Sequence, residues 1–133
     1  MVPEEGVTVV PNDTTKYMQN VATMKYTYDM ISDAYYDGRT ICIFRLSDVI
    51  LCKAEIENNL DGPAAALPYL NQIRARAGAP EYGKHNRFPA PSTKEAMNDA
   101  ILKERGYELV FEFQRRADLI RFGKYEEVVN AHL

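Results

Sequence analysis

The stretch Ser92–Gly123, STKEAMNDAILKERGYELVFEFQRRADLIRFG, decides how the rest of the chain has to be arranged. Ser92 with Glu95 three residues later forms a capping-box start signal. Arg121 and Gly123 supply a basic last turn and a left-handed stop. Gly106 is the one helix breaker inside. At about 100° per residue the apolar positions fall on two faces. Leu102, Leu109, Val110, Phe113, Ala117 and Ile120 make one, with Gly106 in its middle. Met97, Ile101, Leu119 and Phe122 make the other. A helix that is apolar on two sides needs cover on both, so the pattern predicts a long central helix.

The second face also carries Glu104, Glu108, Glu112 and Arg115. Carboxylates within an apolar stripe are costly unless a cation neutralises them. One reading is a carboxylate site for acid–base work or metal binding. The other is an ion-pair network of Glu104, Arg105, Glu108, Glu112, Arg115 and Arg116, joined by Arg74 and Arg76, that fixes helix register. The network is favoured. A di-iron bundle wants Glu-x-x-His pairs, and this helix has no histidine.

With 133 residues the chain suffices for one domain with a modest core. A content of 46% hydrophobic and 26% charged residues places it among globular proteins rather than disordered ones. The net charge of −3 removes the electrostatic case for nucleic acid. Apolar runs fall far short of the roughly 20 residues of a membrane helix, and MVPEEGVTVVPND has no hydrophobic signal core. Cys42 and Cys52 lie among apolar residues and read as buried free thiols. Their spacing is not that of a metal site, and neither a metal nor a cofactor is expected.

Working outward, residues 1–40 read as an extended, irregular arm, with GVTVV as a short edge strand and Asp37-Gly38 as a turn. Tyr35 and Tyr36 are candidates for stacking on a flat ligand, although aromatics at a core edge are the commoner case. RLSDVILCKAEIENN predicts a helix to about Asn59, with Leu46, Val49, Ile50, Ala54 and Ile56 at helical spacing. Asp61 then caps a second helix with Pro63 in its first turn. Its apolar face is Ala66, Leu70, Ile73 and Ala77, and Pro68 is positioned to kink it or shift its start. Gly78 stops it. Residues 45–77 thus make a helical hairpin of about one tetratricopeptide unit, which must stack on the long helix to bury its remaining face. Residues 79–91, APEYGKHNRFPAP, form a loop that is either a binding element or a tolerated insertion. Tyr82, His85 and Phe88 are its ligand candidates, with Asn86 and Arg87 beside them. The residues after Gly123 have room for a last helical turn or two.

Three ordered segments carry a resemblance. RLSDVILCKAEIENN, AALPYLNQIRARAG and ILKERGYELVFEFQRRADLIRFGKYEE resemble the SusD/RagB family of outer-membrane glycan-binding lipoproteins. The anchors are Arg45, Asp48, Ala54 and Glu55; then Leu70, Asn71, Arg74, Arg76 and Gly78. The third set is Glu104, Arg105, Glu108, Leu109, Phe111, Glu112, Arg115, Asp118, Leu119, Arg121 and Gly123. The match covers roughly residues 40–127. Where that family usually has Gly stands Phe113, and a bulky ring there is expected to need space. Family members are several times longer, with a signal peptide and an acylated cysteine, so this chain resembles their C-terminal portion.

The resemblance implies a mostly α fold, with a tetratricopeptide-like hairpin packed on the long central helix and residues 41–133 as scaffold. It implies a non-enzymatic lipoprotein on the cell-surface side of the outer membrane. Such a protein captures an oligosaccharide and delivers it to a TonB-dependent, SusC-like transporter. The family's glycan-binding aromatics lie mostly upstream, so the motif residues here read as scaffold. The alternative is a tetratricopeptide-like scaffold for protein–protein interaction, with a groove beside Ala54 and Ala66. A hydrolase using the glutamate stripe ranks third, because residues one turn apart on any helix meet the carboxylate spacing of a glycosidase.

Overall fold

The computed structural model describes residues 42–131. The arm of residues 1–40, with its expected strand and with Tyr35 and Tyr36, lies outside the described residues. Among the described residues five helices follow in order: α1 Leu46–Leu60, α2 Pro63–Arg76, α3 Lys94–Glu108, α4 Arg115–Arg121 and α5 Tyr125–Asn130. Among the described residues there is no strand, only an isolated bridge between His85 and Phe88. The class is mostly α, as expected.

The two-residue link Asp61–Gly62 makes α1 and α2 a hairpin, and α3 packs on both of its helices. The core between them is Leu51, Ala54, Ala66, Leu70, Ile73, Met97, Ala100 and Ile101. Truncating any of its large members to Ala would cost about 2–5 kcal/mol, since the void left behind adds to the lost transfer energy.

The buried side of α1 is not its most apolar one. Leu46, Val49 and Ile56 face outward, and Leu46 is 72% exposed. The inward side is Ser47, Asp48, Leu51, Ala54 and Asn58. The reason lies in what α3 presents. Asn58, fully buried, donates to the Lys94 carbonyl at 2.9 Å and to Asn98 Oδ1 at 2.8 Å. Asp48 meets the buried guanidinium of Arg105. The buried guanidinium of Arg105 demands an acid and the buried amide of Asn58 demands acceptors, so both polar residues of α1 turn toward α3.

Gly62, not Asp61, is the N-cap of α2, because Asp61 closes α1. Pro63 sits at the first helical position, and the helix runs through Pro68 without ending there. Gly78 has φ +67°, with Ala79 N donating to Arg74 O at 2.8 Å and Gly78 N to Ala75 O at 3.1 Å. This pairing satisfies the last carbonyls of the helix. Gly123 repeats it at the end of α4, where Lys124 N donates to Leu119 O at 2.8 Å.

The long central helix is two helices. Its cap is Thr93, one residue later than expected, whose hydroxyl accepts from Ala96 N at 3.1 Å. The helix ends at Glu108, and α4 restarts at Arg115. Between them Phe111 and Phe113 adopt φ of 61° and 63°. Side chains rarely enter this left-handed region, and no helix continues through it. The break divides the two expected faces. Met97, Ile101 and Leu119 are buried, as are Leu102 and Leu109, but Val110, Phe113 and Ile120 are exposed. The Phe113 ring is 85% exposed, so it needs no space in the core. What the position asks for is a positive φ, which explains a preference for glycine there.

Cys42 and Cys52 are free, but Cys42 is exposed and Cys52 half-buried, against the expectation that both are buried.

Candidate functional site

Ion pairs join α3 to α1, α2 and α4, and the start of α1 to the break that follows α3. Arg105, 3% exposed, donates through Nε to Asp118 Oδ2 at 2.8 Å, and its Nη2 lies 2.7 Å from Asp48 Oδ1. It thereby ties α1, α3 and α4 together. Burial opposes its charge, but Asp118 and Asp48 reverse that effect and raise its pKa above the ordinary arginine value. Arg74, on α2, donates to Glu104 Oε2 at 2.7 Å and to the Pro80 carbonyl at 2.6 Å. Arg45, just before α1, reaches both oxygens of Glu112 at 2.9 Å and Glu108 Oε1 at 2.5 Å. Arg76 holds Glu108 Oε2 at 2.7 Å. Burial pushes the Glu108 carboxyl up, but hydrogen bonds from Ser47, Arg45 and Arg76 outweigh it and hold the group below its usual value.

Arg115 and Arg116, expected in the same network, take other partners. Arg115 lies against Gly106 and donates to the Leu102 carbonyl at 2.8 Å. A Cβ at position 106 would stand 2.8 Å from its Nη1, so the absent side chain makes the room. Arg116 lies over the Tyr125 ring at 5.7 Å. Helical periodicity does not reveal Arg45, Asp48 and Asp118 as network members. The signal lay in the motif anchors, which put an acid or arginine from each helix opposite the charges of α3.

The loop of residues 79–91 is bolted to α2 by two side chains. Asn71 Nδ2 donates to the Tyr82 carbonyl at 2.9 Å, and Tyr82 N donates to Asn71 Oδ1 at 2.8 Å. The Arg74 guanidinium lies 4.6 Å from the Tyr82 ring centre and 4.7 Å from that of Phe88. The two rings meet edge to face at 5.9 Å. A turn from His85 to Phe88 closes the tip, with Phe88 N donating to His85 O at 2.9 Å. His85 is exposed, and its Nδ1 accepts from Arg87 N at 3.2 Å. Tyr82, His85 and Phe88 thus come together, with Phe88 between the other two.

Two open clefts flank this loop. One, of about 410 Å³, is lined by Tyr82, Phe88, Lys103 and Tyr107, with Arg74, Glu104 and Glu108 at its floor and edge. The other, of about 420 Å³, runs from Arg87 and Phe88 past Pro89 and Pro91 to Lys103. Lys103 and Tyr107 were not singled out in the sequence. Their signal is their spacing of four on α3, which places both on its outer face. Among the described residues no group of three or more His, Cys, Asp or Glu could hold a metal ion, and no helix is long and apolar enough to cross a membrane.

The family model described as "SusD family" matches residues 6–132. The chain is 42% identical over 87 residues to SusD-like protein P25 of Formosa agariphila, a match covering 65% of this chain and 16% of that protein. It is 37% identical over 95 residues to SusD-like protein P38 of the same organism, covering 70% of this chain and 19% of that protein. The chain therefore spans less than a fifth of the length of these curated relatives. No solved structure matches it at a significant level.

Proposed function

The chain belongs to the SusD family, and on that premise we propose that it is the helical scaffold of a non-enzymatic glycan-capture component. The component works on the cell-surface side of the outer membrane and delivers an oligosaccharide to a TonB-dependent transporter. The observation that supports the scaffold role is the placement of the motif residues. Glu104, Glu108 and Glu112 are each held by an arginine, and Asn71 and Arg74 hold the loop that shapes the two clefts. A general acid needs its carboxyl pKa raised toward the working pH. Glu108 is shifted the other way.

Affinity electrophoresis of the chain through gels containing neutral or acidic polysaccharides tests the capture reading. Retardation by at least one polysaccharide, with no release of reducing sugar, is the expected result. A folded chain that no polysaccharide retards would remove glycan binding from this part of the protein and leave it the scaffold role alone. Delivery is tested by co-purification with a TonB-dependent transporter from the same cell. Its absence under conditions that keep the transporter intact would remove that half of the proposal.

One observation favours a second reading, a surface for protein–protein interaction. Ala54 and Ala66 are fully buried, so the groove expected beside them is filled. The outer side of α1 instead carries Leu46, Val49, Ile56 and Leu60, all exposed. Unchanged co-purification with the transporter after Leu46→Lys and Ile56→Lys would set this reading aside.

A further inference from the structure

Charge is unevenly distributed around the loop of residues 79–91. The carboxylates that line the clefts are Glu104 and Glu108, and both are already neutralised, by Arg74 and by Arg45 with Arg76. Glu81, at the start of the loop, is held by Lys84 at 2.8 Å. Asp99, one turn before Lys103 on α3, lies 4.0 Å from Lys124. Two cations are left over. Arg87 and Lys103 are exposed, and among the described residues neither side chain has a hydrogen bond or ion pair. Both line the cleft of about 420 Å³, one from the loop and one from α3.

The wall between them is apolar and stiff. Phe88 stands beside Pro89 and Pro91, whose φ angles are fixed. The ring is fixed in turn by Tyr82 and by the Arg74 guanidinium beneath it. A flat apolar wall flanked by two unneutralised cations suits a ligand with an apolar side and one or two negative charges. A sugar ring offers the first through its C–H groups, and a carboxylate or sulfate ester on that ring offers the second. Charge-assisted hydrogen bonds to an arginine or lysine are the stronger kind, and a wall that is already ordered loses little entropy on binding.

We propose that the cleft formed by Arg87, Phe88, Pro89, Pro91 and Lys103 binds an acidic sugar unit, with its ring against Phe88 and its carboxylate or sulfate held between Arg87 and Lys103. The inference rests on the glycan-capture reading and narrows its ligand to anionic oligosaccharides.

Isothermal titration calorimetry of the whole chain tests it with four probes. They are tetragalacturonate for a carboxylate, a sulfated galactan tetrasaccharide for a sulfate, uncharged maltotetraose, and tetraglutamate as an acidic ligand without a sugar ring. At least one acidic tetrasaccharide should bind about tenfold or more tighter than maltotetraose, as one lost charge-assisted contact implies. That binding should weaken as salt is raised. The double variant Arg87→Ala, Lys103→Ala should abolish the preference while its melting temperature stays unchanged. The better of the two acidic sugars tells carboxylate from sulfate.

Equal binding of charged and neutral sugars, unaltered in the double variant, would overturn this proposal and leave the capture reading standing. Tetraglutamate binding as tightly as the acidic sugars would overturn it in favour of an acidic peptide. Absence of binding by every saccharide would overturn this proposal and leave the chain its scaffold role alone.

Discussion

Arg105 and Arg87 carry the same side chain in opposite circumstances. Arg105 is buried between three helices with an aspartate on two sides. Arg87 stands at the rim of a cleft with its guanidinium exposed and without an ion-pair partner among the described residues. The difference separates what the cations of this chain are for. A paired, buried arginine fixes how helices meet, because leaving it or its partner alone is far more costly than never having had the pair. An exposed and unpaired arginine contributes almost nothing to folding, and its charge remains available to a ligand.

The sharpest way to break this contrast is to remove the buried member. Arg105→Ala leaves Asp48 and Asp118 with one guanidinium fewer in a site where water is excluded. We expect a loss of about 3–5 kcal/mol in urea denaturation of the chain, the range for an orphaned buried charge. A loss below about 1 kcal/mol, the level of an exposed pair, would mean that Arg105 is no more structural than Arg87. The contrast would then fail.

A second, smaller effect follows from proton linkage. The folded-state pKa of Glu108 lies below its ordinary value of 4.5. Folding therefore favours the ionised form. The stability this contributes is complete above about pH 4.5 and is lost as the pH falls through the lower, folded value. Arg105 is raised above the ordinary arginine value, so it stays charged throughout that window and adds nothing to the slope. Denaturation at a series of pH values should show stability falling on the acid side. In Glu108→Gln the slope should be shallower. An identical slope in the variant would take Glu108 out of the network.

These two predictions concern residues that the sequence displayed unequally. Glu104, Glu108 and Glu112 were visible because charge inside an apolar stripe is anomalous on its own. Of their partners, Arg74 and Arg76 were visible as well, but Arg45 was not, and neither were Asp48 and Asp118, which hold Arg105. Arg45 and Asp48 sit near the start of α1 and Asp118 sits on α4, and no periodicity within α3 can say which distant charge will face it. The same limit misread α1. Of its expected apolar positions Ala54 is buried and Ile50 packs on the core, but Asp48, drawn in by Arg105, and Asn58 take the rest of the inward side and leave Leu46, Val49 and Ile56 exposed. Glycine stops were legible at Gly78 and Gly123, because a left-handed cap is a local property. The break after Glu108 was not, since it places phenylalanines where glycine would be expected. At the site, Tyr82, His85 and Phe88 could be picked out as a loop cluster. Lys103 could not, because its role depends on which face of α3 the loop folds against.

That break supplies a third test, of about 1 kcal/mol. Phe113 holds φ of 63° with its ring in solvent, so the left-handed backbone is strained and the side chain has little packing to lose. Phe113→Gly should raise stability by about 1 kcal/mol, the cost of holding a side-chain-bearing residue in that region. Destabilisation by a similar amount would mean that the exposed ring contributes packing, and that the residue does more than mark a turn.

The smallest expected effect bears most directly on function. Arg87→Ala with Lys103→Ala removes two cations that neither hold a helix end nor neutralise a carboxylate. Urea denaturation of the double variant should stay within about 0.5 kcal/mol of the parent, as for exposed substitutions away from any network. Removing two unpaired positive charges from a chain of net charge −3 can shift stability only through long-range, salt-screened repulsion. A larger loss that persists in high salt would show that these cations have partners within the fold. They would then belong with Arg105, and the cleft would lose its claim to an acidic ligand. A negligible loss leaves folding and binding on separate sets of cations, so the ligand preference can be altered at Arg87 and Lys103 without disturbing the helices that present them.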